Sequence, residues 1–221
     1  MLKIRRAFIS SAITIAMAML LASTIAAPMQ AQVRTANPIK RGLKLADFPR
    51  LVKLTDSVYG YEEIRSPGFT TVSLIVIGTN GVLIADGQGS AQATQTMLDK
   101  IKTITTQPIK WYIVGSDHGD HTAGNSVLPA GITYVVSPAS KAQLEKDKAS
   151  ADAANARAVA AAKANGTAAP TLRVVVVPPV AMTRNKETID VGGTTVDVLN
   201  LGRAHTGGDI MVHLPRENIC S

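Results

Sequence analysis

Beyond residue 50, the apolar positions come in short β-branched runs broken by glycine, proline and asparagine, the punctuation of strands and turns. Leu51 to Tyr61, rich in Val, Leu and Tyr, predicts a first strand. Val72 to Ile77 and Val82 to Ala85 are separated by Gly78-Thr79-Asn80-Gly81, and Asn-Gly between two such runs predicts a hairpin. After Asp86 and two glycines the period changes. Met97, Leu98, Ile101 and Ile104 fall on one helical face behind Ser90, a residue suited to capping, and the pattern ends before Pro108. Ile109 to Val114, apolar but for Lys110, is a short run of the kind buried on both faces. Strand, helix and buried strand in that order predict an α/β unit.

Thr133 to Val136 predicts the next strand. Between Pro138 and Pro170 lies an alanine-rich tract carrying Lys141, Glu145, Lys146, Lys148, Arg157 and Lys163. Alanine is the best helix former, so a helix is expected from about Ser140 to Ala164. Large apolar side chains are few there, which makes residues 139–170 a solvated helical insertion, with a lid over a site as the sharper alternative. Leu172 to Val177 predicts a strand stopped by Pro178-Pro179. Thr188 to Val191, the turn Gly192-Gly193, and Thr195 to Leu199 predict a second hairpin, and Ile210 to Leu214 one more strand.

The beginning of the chain is different. Lys3, Arg5 and Arg6 precede an apolar stretch from Ala7 to Ala27, with small residues at Ala26, Ala27 and Ala31. Basic start, apolar middle and small end are the pattern of an export signal, so residues 1–31 are expected to be removed and residues 32–221 to form one domain in the periplasm or outside the cell. An uncleaved anchor is the alternative the length permits, and the Arg5-Arg6 pair resembles a twin-arginine signal. Removing the leader lowers the net charge from +7 to +4, with 20 basic against 16 acidic residues. That small, unclustered surplus argues against a nucleic-acid partner. Cys220 is the single cysteine, so stability comes from packing rather than an internal disulfide.

The candidate chemistry sits in two loops, each after a predicted strand. Ser116-Asp117-His118-Gly119-Asp120-His121 packs two histidines and two aspartates into a span too short for one face of a regular element. Such a loop suits wrapping ligands around an ion, and imidazole and carboxylate are the ligands catalytic zinc takes. The second loop is Gly202-Arg203-Ala204-His205-Thr206-Gly207-Gly208-Asp209. His213, inside a strand and outside both loops, reads as an ordinary strand residue, and Cys220 as a free thiol.

Together these loops resemble the metallo-β-lactamase fold family, whose His-x-His-x-Asp-His loop follows an apolar strand and continues into two small residues and Asn, as Thr122-Ala123-Gly124-Asn125 does here. The family's second motif, one histidine before Thr, Gly and Asp, is similar to Ala204-His205-Thr206-Gly207-Gly208-Asp209, and Asp86 resembles its supporting aspartate. The resemblance implies an α/β protein, an αββα sandwich with an incomplete C-terminal part. It implies one or two zinc ions held by His118, Asp120, His121 and His205. It also implies metal-assisted hydrolysis, in which bound water loses its proton near neutral pH and the hydroxide attacks an ester, thioester or lactam carbonyl. Asp120 would then orient that water and carry a proton to the leaving group.

Two departures qualify this. Ser116 stands where the family has its first histidine, leaving His118 and His205 at the first metal position, with the side chain of Asp117 expected to point elsewhere. The family's later ligands have no counterpart before Ser221, leaving Asp120 and His121 at the second. The chain is therefore expected to be a zinc-dependent hydrolase of a small-molecule substrate, without stable membrane association once the leader is gone. The alternatives are an inactive truncated remnant and a protein that binds a metal or partner without catalysis.

Overall fold

The computed structural model describes Thr35 and residues 37–221, so the expected export segment lies outside the described residues. Six strands form one sheet in sequence order: β1 (Arg50–Lys53), β2 (Val58–Ser66), β3 (Phe69–Gly78), β4 (Gly81–Ala85), β5 (Ile109–Ile113) and β6 (Thr133–Val135). The first three pairings are antiparallel, while β4–β5 and β5–β6 are parallel. The single strand expected over Leu51 to Tyr61 is in fact two, β1 and the start of β2. Polar turn chemistry breaks it: Thr55 Oγ1 accepts from the amides of Ser57 (3.3 Å) and Val58 (3.1 Å), folding the backbone back before β2 begins.

The β3–β4 hairpin turns through Thr79-Asn80, with Gly78 opposite Gly81, where the Asn-Gly signal places it. A parallel partner for β4 needs a crossover, supplied by α1 (Ala91–Lys102). Ser90 Oγ caps α1 by accepting from the Ala93 amide at 3.1 Å. A one-turn helix α2 (Gly119–Thr122) follows β5, and α3 (Pro138–Asn165) follows β6. Ser137 caps α3, Pro138 opens it, and Gly166 ends it in the left-handed conformation at φ 63°. Of its 28 residues only Ser140, Leu144 and Ala151 are buried, so the alanine-rich tract is a largely solvated helix.

The second sheet holds β7 (Lys186–Asp190), β8 (Thr195–Leu199), β9 (Met211–Leu214) and β10 (Ile219–Cys220) in the order β10-β9-β8-β7, all antiparallel. Leu172 to Val177, expected to be a strand, pairs with no strand. Its backbone is held by a side chain instead: Asn155 of α3 accepts from the Arg173 amide at 3.0 Å and donates to the Arg173 carbonyl at 2.8 Å. The valine run supplies strand propensity, but propensity alone does not place the segment on a sheet edge.

Two apolar cores follow from the alternation of side chains along the shared sheet. Leu74, Val76, Leu83 and Ile113 face the second sheet, meeting Val196, Val198, Val212 and Leu214. Ile75, Ile84, Tyr112 and Val114 face the helices, meeting Met97, Leu98 and Ile101 of α1 and Leu144 of α3. The layers are thus helices, sheet and sheet, the mixed α/β sandwich that the sequence implies. The described residues place no helix after β7, and the second sheet carries polar pairs, with Asp197 accepting from Lys186 (2.8 Å) and Thr188 (2.7 Å) on the neighbouring strand. Among the described residues no helix is long and apolar enough to cross a membrane.

Candidate metal centre

Three loops meet at one end of the fold: those following the carboxyl ends of β4 and β5, and the one entering β9. In open α/β sheets ligand sites lie beyond the carboxyl ends of the strands. Asp86 ends β4 with its backbone at φ 63°, a left-handed conformation uncommon outside glycine and sustained only where the surroundings fix it. They do: its amide donates to the Ile113 carbonyl at 3.0 Å, and its Oδ1 accepts from the amides of Gly115 (2.8 Å) and Ser116 (3.3 Å). A Cβ at Gly115 would lie 2.8 Å from Asp86 Oδ2, so glycine is what lets the carboxylate sit beneath the loop.

The loop after β5 then turns into α2, which carries Asp120 and His121. The carbonyl of His121 accepts from the Gly87 amide at 2.9 Å and lies 3.0 Å from the Tyr112 hydroxyl, which is also 2.7 Å from Asn125 Oδ1. Burial first, then the charge of Asp86, raises the pKa of Tyr112 well above its ordinary value, so it stays a protonated donor. Tyr112→Phe should lower stability by about 1 kcal/mol, through a lost buried hydrogen bond that leaves Asn125 short of a partner. Urea unfolding of the variant beside the wild type measures this, and an unchanged midpoint would show the hydroxyl to be idle.

His118 and His205, from loops far apart in sequence, come into edge-to-face contact with ring centroids 4.8 Å apart and an interplanar angle of 80°. Both are exposed, at a cleft of about 360 Å³ that Asp117, Gln143, Asp147 and Arg203 also line. That volume lies within the range of small-molecule sites. The His205 loop is shaped by Asp209, whose carboxylate accepts from the Thr206 amide at 2.8 Å and from the Thr206 hydroxyl. The first turn of α3 joins the loops together: Ser137 Oγ donates to the Gly208 carbonyl at 2.7 Å, and Ser140 Oγ lies 3.0 Å from that carbonyl and 2.9 Å from Asp117 Oδ2. Asp117 is therefore turned toward α3, and Ser116 is buried.

Asp120 and His121 form a second group. His121 Nδ1 lies 3.0 Å from Asp86 Oδ2, off the line of a good hydrogen bond, and its Nε2 lies 3.4 Å from Asp120 Oδ2. Arg65, on β2, donates to that same Asp120 oxygen. Burial pulls the His121 pKa down, but the Asp86 contact and the charges of Asp86 and Asp120 outweigh it and hold the pKa above the ordinary histidine value. Burial pushes Asp120 up, and Arg65 with the neighbouring His121 reverses this, so its carboxyl sits below the usual range. Cys220 and His213 face each other in the β9–β10 register.

The layered fold and the meeting of the two histidine loops point the same way as the comparison with solved structures. A metallo-beta-lactamase from Pontibacter korlensis superposes with a TM-score of 0.56 at 22% identity, covering 77% of this chain and 69% of that one. The chain has the metallo-β-lactamase fold. No family model matches it, and neither does any curated protein.

The resemblance of the two loops to the metallo-β-lactamase motifs implies a metal here, and the residues present can be tested against it. The donors fit in kind. His118 and His205 offer two imidazoles at one cleft, and Asp120 and His121, next along the chain on α2, offer a carboxylate and an imidazole. They fall short in number: among the described residues no three His, Cys, Asp or Glu side chains converge on one point, whereas a catalytic zinc usually has three protein ligands. Arg65, Tyr112 and the Ser137–Ser140 pair are absent from the sequence-derived site. Only Ser137 had a local signal there, as a serine directly before a proline-led helix.

Proposed function

We propose that this chain is an exported metal-dependent hydrolase of the metallo-β-lactamase type, with zinc as its ion and an ester, thioester or lactam carbonyl of a small molecule as its substrate. The observation supporting this is the contact between His118 and His205, two imidazoles brought from separate loops to the mouth of one cleft. These two would hold the metal, with remaining positions left to water or substrate. Zinc held there would supply Lewis acidity at a carbonyl and lower the pKa of water near neutral pH.

The chain's own residues supply the rest. Asp120, kept anionic by Arg65, would orient water and accept its proton, and His121 would be fixed between Asp120 and Asp86. Gln143 and Arg203 give the cleft amide and guanidinium donors for a polar substrate. Export is supported by the basic, apolar and small-residue order of residues 1–31. The shortfall to two protein ligands favours a second reading, a protein that binds metal or a partner without turnover.

Zinc per folded chain, measured by elemental analysis in the wild type and a His118→Ala/His205→Ala variant, tests both readings. About one zinc in the wild type, absent from the variant, is the expected result, because two imidazoles are the whole protein share of that position. Turnover of an ester, thioester or lactam by the loaded protein, lost in the variant, completes the hydrolase reading. Zinc without turnover of any of the three selects the second reading, and a wild type no richer in zinc than the variant sinks the metal site itself.

A further inference from the structure

Asp120 and His121 are not waiting for a ligand. Asp120 Oδ2, the oxygen nearest His121 Nε2, already accepts from the guanidinium of Arg65. The guanidinium carbon of Arg65 also lies 6.0 Å from the centre of the Phe69 ring. Around this point stand two carboxylates, Asp86 and Asp120, one imidazole and one guanidinium. A guanidinium carries its charge at every accessible pH, so the local anionic charge that would attract a dication is already partly neutralised. A metal reaching both Asp120 Oδ2 and His121 Nε2 would have to displace Arg65 or lie against its positive charge.

We propose that Arg65 is the resident cation of the Asp120–His121 position, holding the pair in place of a divalent metal, so that the chain takes metal at His118–His205 alone. This rests on the reading of His118–His205 as the metal position given above, but its physical content is separate: a fixed positive charge excludes a second ion. The residue does not touch substrate. It is a positioning residue, and what it positions is the Asp120 carboxylate.

Calorimetric titration with zinc alone separates the two ideas. The proteins are the wild type, Arg65→Lys, Arg65→Gln, Arg65→Gln/His118→Ala and Arg65→Gln/Asp120→Ala. Removing the charge should add a zinc-binding event that the wild type lacks, or strengthen zinc binding at this position on the order of tenfold, as expected for losing a unit charge a few ångströms from a dication near the surface. The new event should persist in Arg65→Gln/His118→Ala and vanish in Arg65→Gln/Asp120→Ala. Arg65→Lys, which keeps the charge, should titrate like the wild type. Arg65 is about half exposed, so the variants should fold, and their melting temperatures establish that independently of zinc.

An Arg65→Gln titration that superimposes on a zinc-binding wild type overturns the Arg65 proposal and leaves the His118–His205 reading standing. A wild type that binds no zinc, beside an Arg65→Gln variant that binds one through Asp120, overturns the His118–His205 reading and supports Arg65 as the excluding charge. Binding in neither protein overturns both.

Discussion

Replacing Gly208 by alanine is expected to lower stability by about 3 kcal/mol and to pull the two cleft histidines apart. A Cβ at this position would lie 2.3 Å from Ser137 Oγ, 2.5 Å from the Ser140 amide nitrogen and 2.5 Å from Ser140 Oγ. Two of these are hydroxyls that could rotate, but the amide belongs to the first turn of α3 and cannot move without shifting the helix. The methyl also strikes the point where the loops are joined. Ser137 donates to the Gly208 carbonyl, and its oxygen caps α3 by accepting from the Ser140 amide at 3.1 Å. Overpacking of 1–3 kcal/mol and a weakened cap of about 1 kcal/mol combine to the expected loss. Gly207 is the internal control. A Cβ there meets only the Ala139 side chain at 4.0 Å, so Gly207→Ala should change stability little. Urea unfolding of both variants measures the difference. Equal losses would mean that the contact with α3 is not what position 208 needs. Because His205 lies three residues before Gly208, the variant should also bind zinc more weakly than Gly207→Ala does.

What could be read in the sequence was what local rules decide. Asn80-Gly81 marked the hairpin, although the turn itself runs through Thr79-Asn80 with Gly81 paired opposite Gly78, and Ser90 marked the start of α1 because its hydroxyl meets an orphan amide. Leu74 to Ile77 of β3 and Tyr112 to Val114 in and after β5 are apolar without alternation because both faces of that sheet are covered there, one by the second sheet and the other by helices. The meeting of His118 with His205 was legible only through the resemblance of two loops to one family, since nothing local in either loop specifies the other. Non-local features were not legible. Leu172 to Val177 has the composition of a strand, but it pairs with none, and Asn155 takes up the backbone at Arg173. The break at Thr55 depends on a hydroxyl folding back onto two amides, a choice that Leu51 to Tyr61 as a run of β-formers does not reveal. Arg65 is one of 23 basic residues, and its contact with Asp120 spans 55 positions. That residue places a positive charge against Asp120, so the charge balance of the candidate centre is a property of the fold and not of its motifs.

Glu62→Ala should cost about 3 kcal/mol at neutral pH, and the cost should shrink in acid. Glu62 lies on β2 with its side chain only 5% exposed, between Arg41 and Arg50, whose side chains are 24% and 29% exposed. Arg41 donates to Oε1, Arg50 Nε to Oε2 at 2.8 Å, and Thr70 Oγ1 to Oε1 at 2.7 Å. One carboxylate thereby ties the 3-10 turn Ile39–Arg41 to β1, β2 and β3. Truncation leaves two guanidinium groups facing each other with no anion, which is why breaking such a pair costs more than forming it gains. Burial alone would raise the pKa of Glu62, but hydrogen bonds from Arg41, Thr70 and Arg50 outweigh it and hold it below the ordinary 4.5. The sign follows from linkage. Above 4.5 the carboxylate is ionised both folded and unfolded, and its stabilisation is fully present; as pH falls from 4.5 toward the lower folded value, the unfolded chain takes up the proton first and the stabilisation is lost. Urea unfolding of wild type and Glu62→Ala at neutral pH, and at successive steps below 4.5, should show the gap narrowing. Other carboxylates titrate in the same window, but they do so in both proteins and cancel in the difference. A gap that stays constant down to the acid limit would mean that Glu62 stabilises β2 by packing alone and that the two arginines are bystanders.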